Sequence, residues 1–96
     1  MKLWLDDMRL PPDGSYMTAY SVKQAIGMLI AARVANDTVE VIDLDHDLGN
    51  YARDGGDGIK LLDWCIENNF FPPVRLHTMN PVGYQNMQRT IQRYWK

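Results

Sequence analysis

The sequence predicts an α/β fold: a mainly parallel sheet of about three to four strands with helices packed on both of its faces. Three observations point there. Short apolar runs alternate with stretches of helical period. The run Val39 to Leu44 is apolar on both sides, which suits a central strand covered on two faces. Three runs end in polar, potentially reactive residues, where an open parallel sheet binds its ligands. At 96 residues and 46% apolar content, the chain reads as one domain, residues 1–96, with enough apolar material for a packed core.

The elements follow in order. Lys2 to Asp6 is a short buried strand ending in acid, and Pro11-Pro12-Asp13-Gly14 is a turn signal. Tyr16 to Ala19 is a weak second strand. Only about eight residues separate these two strands, and a parallel crossover normally needs a dozen or more, so the second is expected to be antiparallel or vestigial. A helix follows. Ser21 and Gln24 have capping-box spacing, and Val22, Ala25, Ile26, Leu29 and Ile30 share one face before Asn36-Asp37 ends it. Val39 to Leu44 is the strongest strand. A glycine-bearing loop, Gly49 to Gly56, leads to Asp57, a candidate cap for a helix with Ile59, Leu62, Cys65 and Ile66 at helical spacing, closed by Asn68-Asn69. Val74 to Thr78 is a further strand. Asn80 then fits an N-cap with Pro81 at the first helical position, and Tyr84, Met87, Ile91 and Tyr94 form the expected inward stripe of the last helix.

Composition narrows the function. A net charge of −2 argues against an extended nucleic-acid-binding surface but leaves room for one nucleotide end. The single cysteine, Cys65, lies in an apolar helical stretch and reads as a reduced core thiol. No apolar run approaches the roughly 20 residues needed to span a bilayer, and carboxylates come too early for a signal peptide, so a cytoplasmic protein is expected.

The chemistry sits at the strand ends: Leu5-Asp6-Asp7-Met8-Arg9, Leu44-Asp45-His46-Asp47-Leu48-Gly49 and Leu76-His77-Thr78-Met79-Asn80-Pro81. Clustered carboxylates repel by roughly 4 kcal/mol per pair about 4 Å apart, unless a hard divalent cation, expected here to be magnesium, relieves them. His46 and His77, the only histidines, are candidates for an acid–base pair, with Asp45 or Asp47 orienting an imidazole. Arg9 is a candidate phosphate clamp, and the free N–H groups after Asn80 a candidate anion site. Gly55, Gly56 and Gly58 match no P-loop and are a weak phosphate signal. Trp4, Trp64 and Trp95 read as core.

These motifs, in this order and over nearly the whole chain, resemble the cyclic-phosphate processing receiver-like domain, a pared-down response-regulator receiver. The resemblance rests on Leu5 to Arg9, Asp43 to Gly49 and His77 to Gly83, with Asn86-Met87 fitting the closing helix. It implies a receiver- or flavodoxin-like three-layer sandwich. It implies that Asp6, Asp7 and Asp45 hold a metal, that Asp45 is the phosphoacceptor position, and that Thr78 supplies a hydroxyl. With the residue reading, it makes His46, His77, Asp45 and Asp47 the expected catalytic residues, and Arg9, Thr78, Asn80 and Gly83 the expected phosphate-binding ones. Asp43 stands where a small residue such as Ser is expected, and Thr78 where Ser is common. The lysine of a fifth receiver strand and the first crossover helix have no counterpart, which argues against a phosphorylation switch. The expected activity is a phosphoesterase acting on a cyclic phosphate, on an RNA 2′,3′-cyclic end or a cyclic nucleotide. The competing reading is a non-enzymatic nucleotide- or protein-binding module.

Overall fold

Four strands and three helices form in the computed structural model, which describes residues 1–96: β1 (Lys2–Leu5), β2 (Tyr16–Ala19), α1 (Val22–Val34), β3 (Val41–Leu44), α2 (Ile59–Glu67), β4 (Val74–Leu76) and α3 (Pro81–Tyr94). A short 3-10 turn, Gly49–Arg53, lies between β3 and α2. The sheet runs in the order β2-β1-β3-β4 and every pairing is parallel.

The second strand is therefore neither antiparallel nor vestigial. It pairs in full with β1, from Lys2 opposite Tyr16 to Leu5 opposite Ala19. The reason is strand length. A four-residue strand spans only about 13 Å, so an extended loop from Asp6 to Ser15 reaches back to the start of the sheet without a helix.

The missing crossover helix also changes the layering. The chain passes from β2 through α1 to β3, and from β3 through α2 to β4, in the same direction across the sheet. Right-handed crossovers place both helices on one face. α3 follows β4 and packs on α2. One core cluster joins Leu3, Leu5, Ile42 and Leu44 of the sheet to Val22, Ala25 and Leu29 of α1, Leu61, Leu62 and Cys65 of α2, and Met87 of α3. The expected helices on both faces are thus corrected to helices on one face, making two layers rather than three. On the other face Trp4 is covered by the β1–β2 loop, where its indole N–H donates to the Arg9 carbonyl at 2.9 Å.

Local chemistry sets the helix ends. Ser21 caps α1, its hydroxyl accepting from the Gln24 N–H at 3.1 Å, while the Gln24 amide oxygen reaches back to the N–H of Tyr20. Asn36 and Asn69 turn left-handed just past α1 and α2, the conformation a helix C-terminus favours. Asn80 caps α3, accepting from the N–H groups of Val82 and Gly83 at 3.1 Å each, with Pro81 behind it. Two expectations need revision. Asp57 does not cap α2; its carboxylate accepts from the Leu48 N–H and ties the loop together. The inward stripe of α3 is narrower than expected: Met87 is buried and Ile91 packs on the core, but Tyr84 and Tyr94 are exposed. No helix is long and apolar enough to cross a membrane.

Candidate active site at the sheet rim

Side chains alternate faces along a strand, and this parity sorts the three polar clusters. Leu3 and Leu5 face the helices, so Trp4 and Asp6 face the other way. Ile42 and Leu44 face the helices, so Asp43 and Asp45 join Trp4 and Asp6. Register pairs Leu44 with Leu76, which sends His77 to that same face. His46, two residues beyond Leu44, goes to the helix side. The two histidines therefore part company at the rim.

His77 closes one cluster. Its Nδ1 lies 2.7 Å from Asp43 Oδ1 and its Nε2 lies 2.9 Å from Asp6 Oδ2. Its ring stacks on Trp4 with centroids 3.8 Å apart and planes within 3°. Two carboxylate contacts need two protons among these groups, and no ring nitrogen is left to carry a proton to a substrate. Asp6 is just as occupied. Its Oδ1 accepts from the N–H groups of Met8 and Arg9, and its Oδ2 meets Arg9 Nε at 3.2 Å as well as His77. A carboxylate has about four acceptor positions, so Asp6 is close to saturated. Burial pushes its acidity toward the neutral form, but the Met8 and Arg9 N–H groups and His77 outweigh this and hold its carboxyl below the usual range.

His46 closes a second, smaller arrangement. Its Nδ1 lies 2.8 Å from Asp47 Oδ1, and Asn80 donates its side-chain amide to both Asp47 oxygens at 3.2 Å. The His46 bond, with help from Asn80, holds the Asp47 carboxyl below its ordinary range. The His46 ring packs on Gly83, where any side chain would collide with the ring. His46 Nε2 makes no hydrogen bond within the protein.

Between these arrangements lies an open cleft of about 560 Å³. Its lining includes four carboxylates, from Asp6, Asp7, Asp45 and Asp47, one guanidinium, from Arg9, and Thr78, Met8, Met79, Asn80 and Gly49. Neither histidine lines it, and no lysine does. Asp45 accepts from the His46 N–H at 2.8 Å and lies 3.9 Å from Arg9. Asp7 is the least compensated. Burial first, then the charges of Asp6, Asp45 and Asp47, push its carboxyl above the ordinary range. Oxygens of Asp6, Asp7 and Asp45 lie within 4.8 Å of one another. That spacing, and the raised Asp7, fit a hard divalent cation, whose ligand oxygens sit about 2.0–2.6 Å from the ion.

Several expected roles change. The cleft brings together Asp6, Asp7, Asp45, Asp47, Arg9, Thr78 and Asn80. His77, expected as an acid–base group, has both ring nitrogens engaged, by Asp43 and Asp6. At the helix N-terminus expected to bind an anion, the Asn80 side-chain oxygen Oδ1 already takes the Val82 and Gly83 N–H groups. Asn80 itself positions Asp47. Gly83, expected to bind phosphate, is buried against His46 and lies outside the cleft lining. Gly58 is required by packing, because a side chain there would strike the Asp45 carbonyl. Thr78 Oγ1 accepts from the Asn80 N–H and keeps its own proton to donate. Two residues acquire partners that sequence reading did not supply: Asp43, whose flanking apolar residues marked it as half-buried, and Trp4, which read only as core.

A parallel sheet in the order β2-β1-β3-β4, with acids at the ends of β1 and β3 and a hydroxyl after β4, defines a receiver-like domain. The family model for the cyclic-phosphate processing receiver domain matches residues 1–93, and the chain belongs to that family. No curated protein and no solved structure matches the chain.

Proposed function

We propose that this domain is a phosphoesterase that opens a cyclic phosphate by attack of water, on an RNA 2′,3′-cyclic end or a cyclic nucleotide, with a divalent cation, expected to be magnesium. One observation carries the reading: four carboxylates and a single guanidinium face one open cleft. An anionic phosphate is repelled there unless a cation intervenes. Asp7 and Asp45 are the groups to hold that ion, with Asp6 fixed behind them. Bound there, it would supply Lewis-acid stabilisation of the phosphoryl oxygens.

The chain's own residues do the rest. Arg9, anchored through Asp6 and the His77 carbonyl, faces the phosphate from the exposed side. Thr78 donates its hydroxyl to a phosphoryl oxygen. His46, oriented by Asp47, relays protons through one bridging water. In the reaction a water oxygen bonds to phosphorus and one ring P–O bond breaks. The proton lost by water ends on the released hydroxyl, leaving a phosphomonoester.

The test is turnover of cyclic-phosphate oligonucleotides and cyclic nucleotides by the purified domain, with and without magnesium. Magnesium-dependent monoester formation, reduced by His46→Ala, is expected. No turnover of any of them would sink the reading. One observation favours a non-enzymatic nucleotide-binding module instead: both histidines lie off the cleft lining. Tight nucleotide binding without turnover would select it.

A further inference from the structure

Outside the cleft, two exposed tyrosines stand on the same rim. Tyr20 directly follows β2 and Tyr51 lies in the 3-10 turn after β3. Their rings stack on each other, centroids 5.7 Å apart and planes 30° off parallel, and each remains 45% and 48% exposed respectively. Neither belongs to the core cluster.

The pair is held firmly. The Tyr20 N–H donates to Gln24, Ser21 Oγ donates to Asp54 at 2.7 Å, and the Lys23 N–H donates to the Asp54 carbonyl at 3.0 Å. These bonds bolt the loop bearing Tyr51 to the start of α1. The pair also adjoins the acid cleft. The Asp6 N–H donates to the carbonyl of Ala19, the residue before Tyr20. Gly49, two residues before Tyr51, lies so close to Asp7 that a Cβ there would come within 2.7 Å of its Oδ2. Lys23 and Arg53 beside the pair are exposed and make no ion pair, whereas Asp54 is occupied by Ser21. No aromatic side chain lines the cleft itself.

We propose that Tyr20 and Tyr51 form a stacking subsite for the base of the nucleotide whose phosphate enters the acid cleft. The inference rests on the phosphoesterase reading for the phosphate position and adds that the substrate carries a nucleobase. Bases stack on exposed aromatic rings with little sequence preference. Lys23 and Arg53 suit the phosphate of a neighbouring nucleotide.

The test is calorimetric binding, with magnesium, of cytidine 3′-monophosphate and of glycerol 2-phosphate, which has no base. Tyr51→Leu and Tyr20→Leu should each weaken the cytidine ligand about tenfold and leave glycerol phosphate unchanged, with Tyr51→Phe like the parent. Tyrosine ring-proton resonances should shift with the cytidine ligand alone. Equal binding of both ligands by the parent, an unchanged cytidine affinity in both Leu variants, or no binding of either ligand overturns the subsite. Base-dependent binding without turnover would retire the phosphoesterase and keep the subsite; turnover that ignores the base would do the reverse.

Discussion

The cluster around His77 and the cleft beside it hold the same kinds of residue and do different work. Asp6 and Asp43 are 1% and 4% exposed, and both find partners in His77 and the surrounding donors. No buried polar side-chain atom in the domain is left without a partner. Asp7 and Asp45, a few ångströms away, line the open cleft; Asp45 has the His46 N–H and Arg9 beside it, and Asp7 has no ion-pair partner. Satisfied charge builds the fold, and uncompensated charge is what a ligand can answer. Residue type alone would have made all of them, and both histidines, catalytic.

The largest expected effect lies on the closed side. His77→Ala takes from buried Asp43 its His77 partner and from Asp6 one of four donors, and breaking a buried pair this way costs about 3–5 kcal/mol. Against the roughly 5–15 kcal/mol that holds a domain folded, that is a large fraction. Urea unfolding should show the midpoint collapse. A variant as stable as the parent but inactive would instead make His77 catalytic and erase the distinction between the two regions.

On the open side the sign reverses. Asp7 keeps its proton to a higher pH in the folded state than in the unfolded chain. Its contribution is therefore most favourable at low pH and turns into a cost as pH rises through the folded value. Asp7→Asn should stabilise the metal-free domain at neutral pH by roughly 0.5–1 kcal/mol, the scale of a screened charge pair. Magnesium should raise the melting temperature of the parent and leave that of Asp7→Asn unmoved. Asp6 titrates the other way. Its depressed carboxyl adds stability that is fully present above the unfolded value of about 3.9 and is lost as pH falls through the lower folded one. An acid titration in which Asp6→Asn and the parent lose stability over the same pH range would contradict this.

Asn80→Ala comes next. It removes the α3 cap, worth about 1 kcal/mol, and releases Asp47, so the pH profile of any His46-dependent activity should move as well. A stability loss with an unshifted profile would limit Asn80 to capping. The smallest effect is at Cys65. Burial pushes its thiol up to about 12, so native protein should resist alkylation that goes to completion in urea.

Much of the architecture was legible in the chain. Ser21, Asn80 with Pro81, Asn36 and Asn69 mark helix ends through local hydrogen bonding, and local chemistry survives folding. The parallel pairing of β2 was not legible, because a loop's reach depends on strand length, and Tyr16 to Ala19 does not announce where it stops. The single helix layer follows from the absent β1–β2 helix, yet handedness had to be combined with strand order to see it. The acid cleft emerged from topology alone. The separation of His46 from His77 was readable in parity, since Leu44 and Leu76 share a face and His46 lies two residues beyond one while His77 lies next to the other. Occupancy was not readable. Nothing in the order of residues says that Met8, Arg9 and His77 would fill every acceptor of Asp6.

The most direct measurement is phosphorus NMR of a 2′,3′-cyclic nucleotide mixed with magnesium and either the parent domain or the Asp7→Asn, Asp45→Asn double variant. The parent should convert the cyclic signal to a phosphomonoester, and the double variant should be slower by about a hundredfold or more, the scale on which removing one electrostatic group commonly acts. Equal rates in the two proteins, with both folded, would contradict the assignment of the chemistry to the open acid cleft.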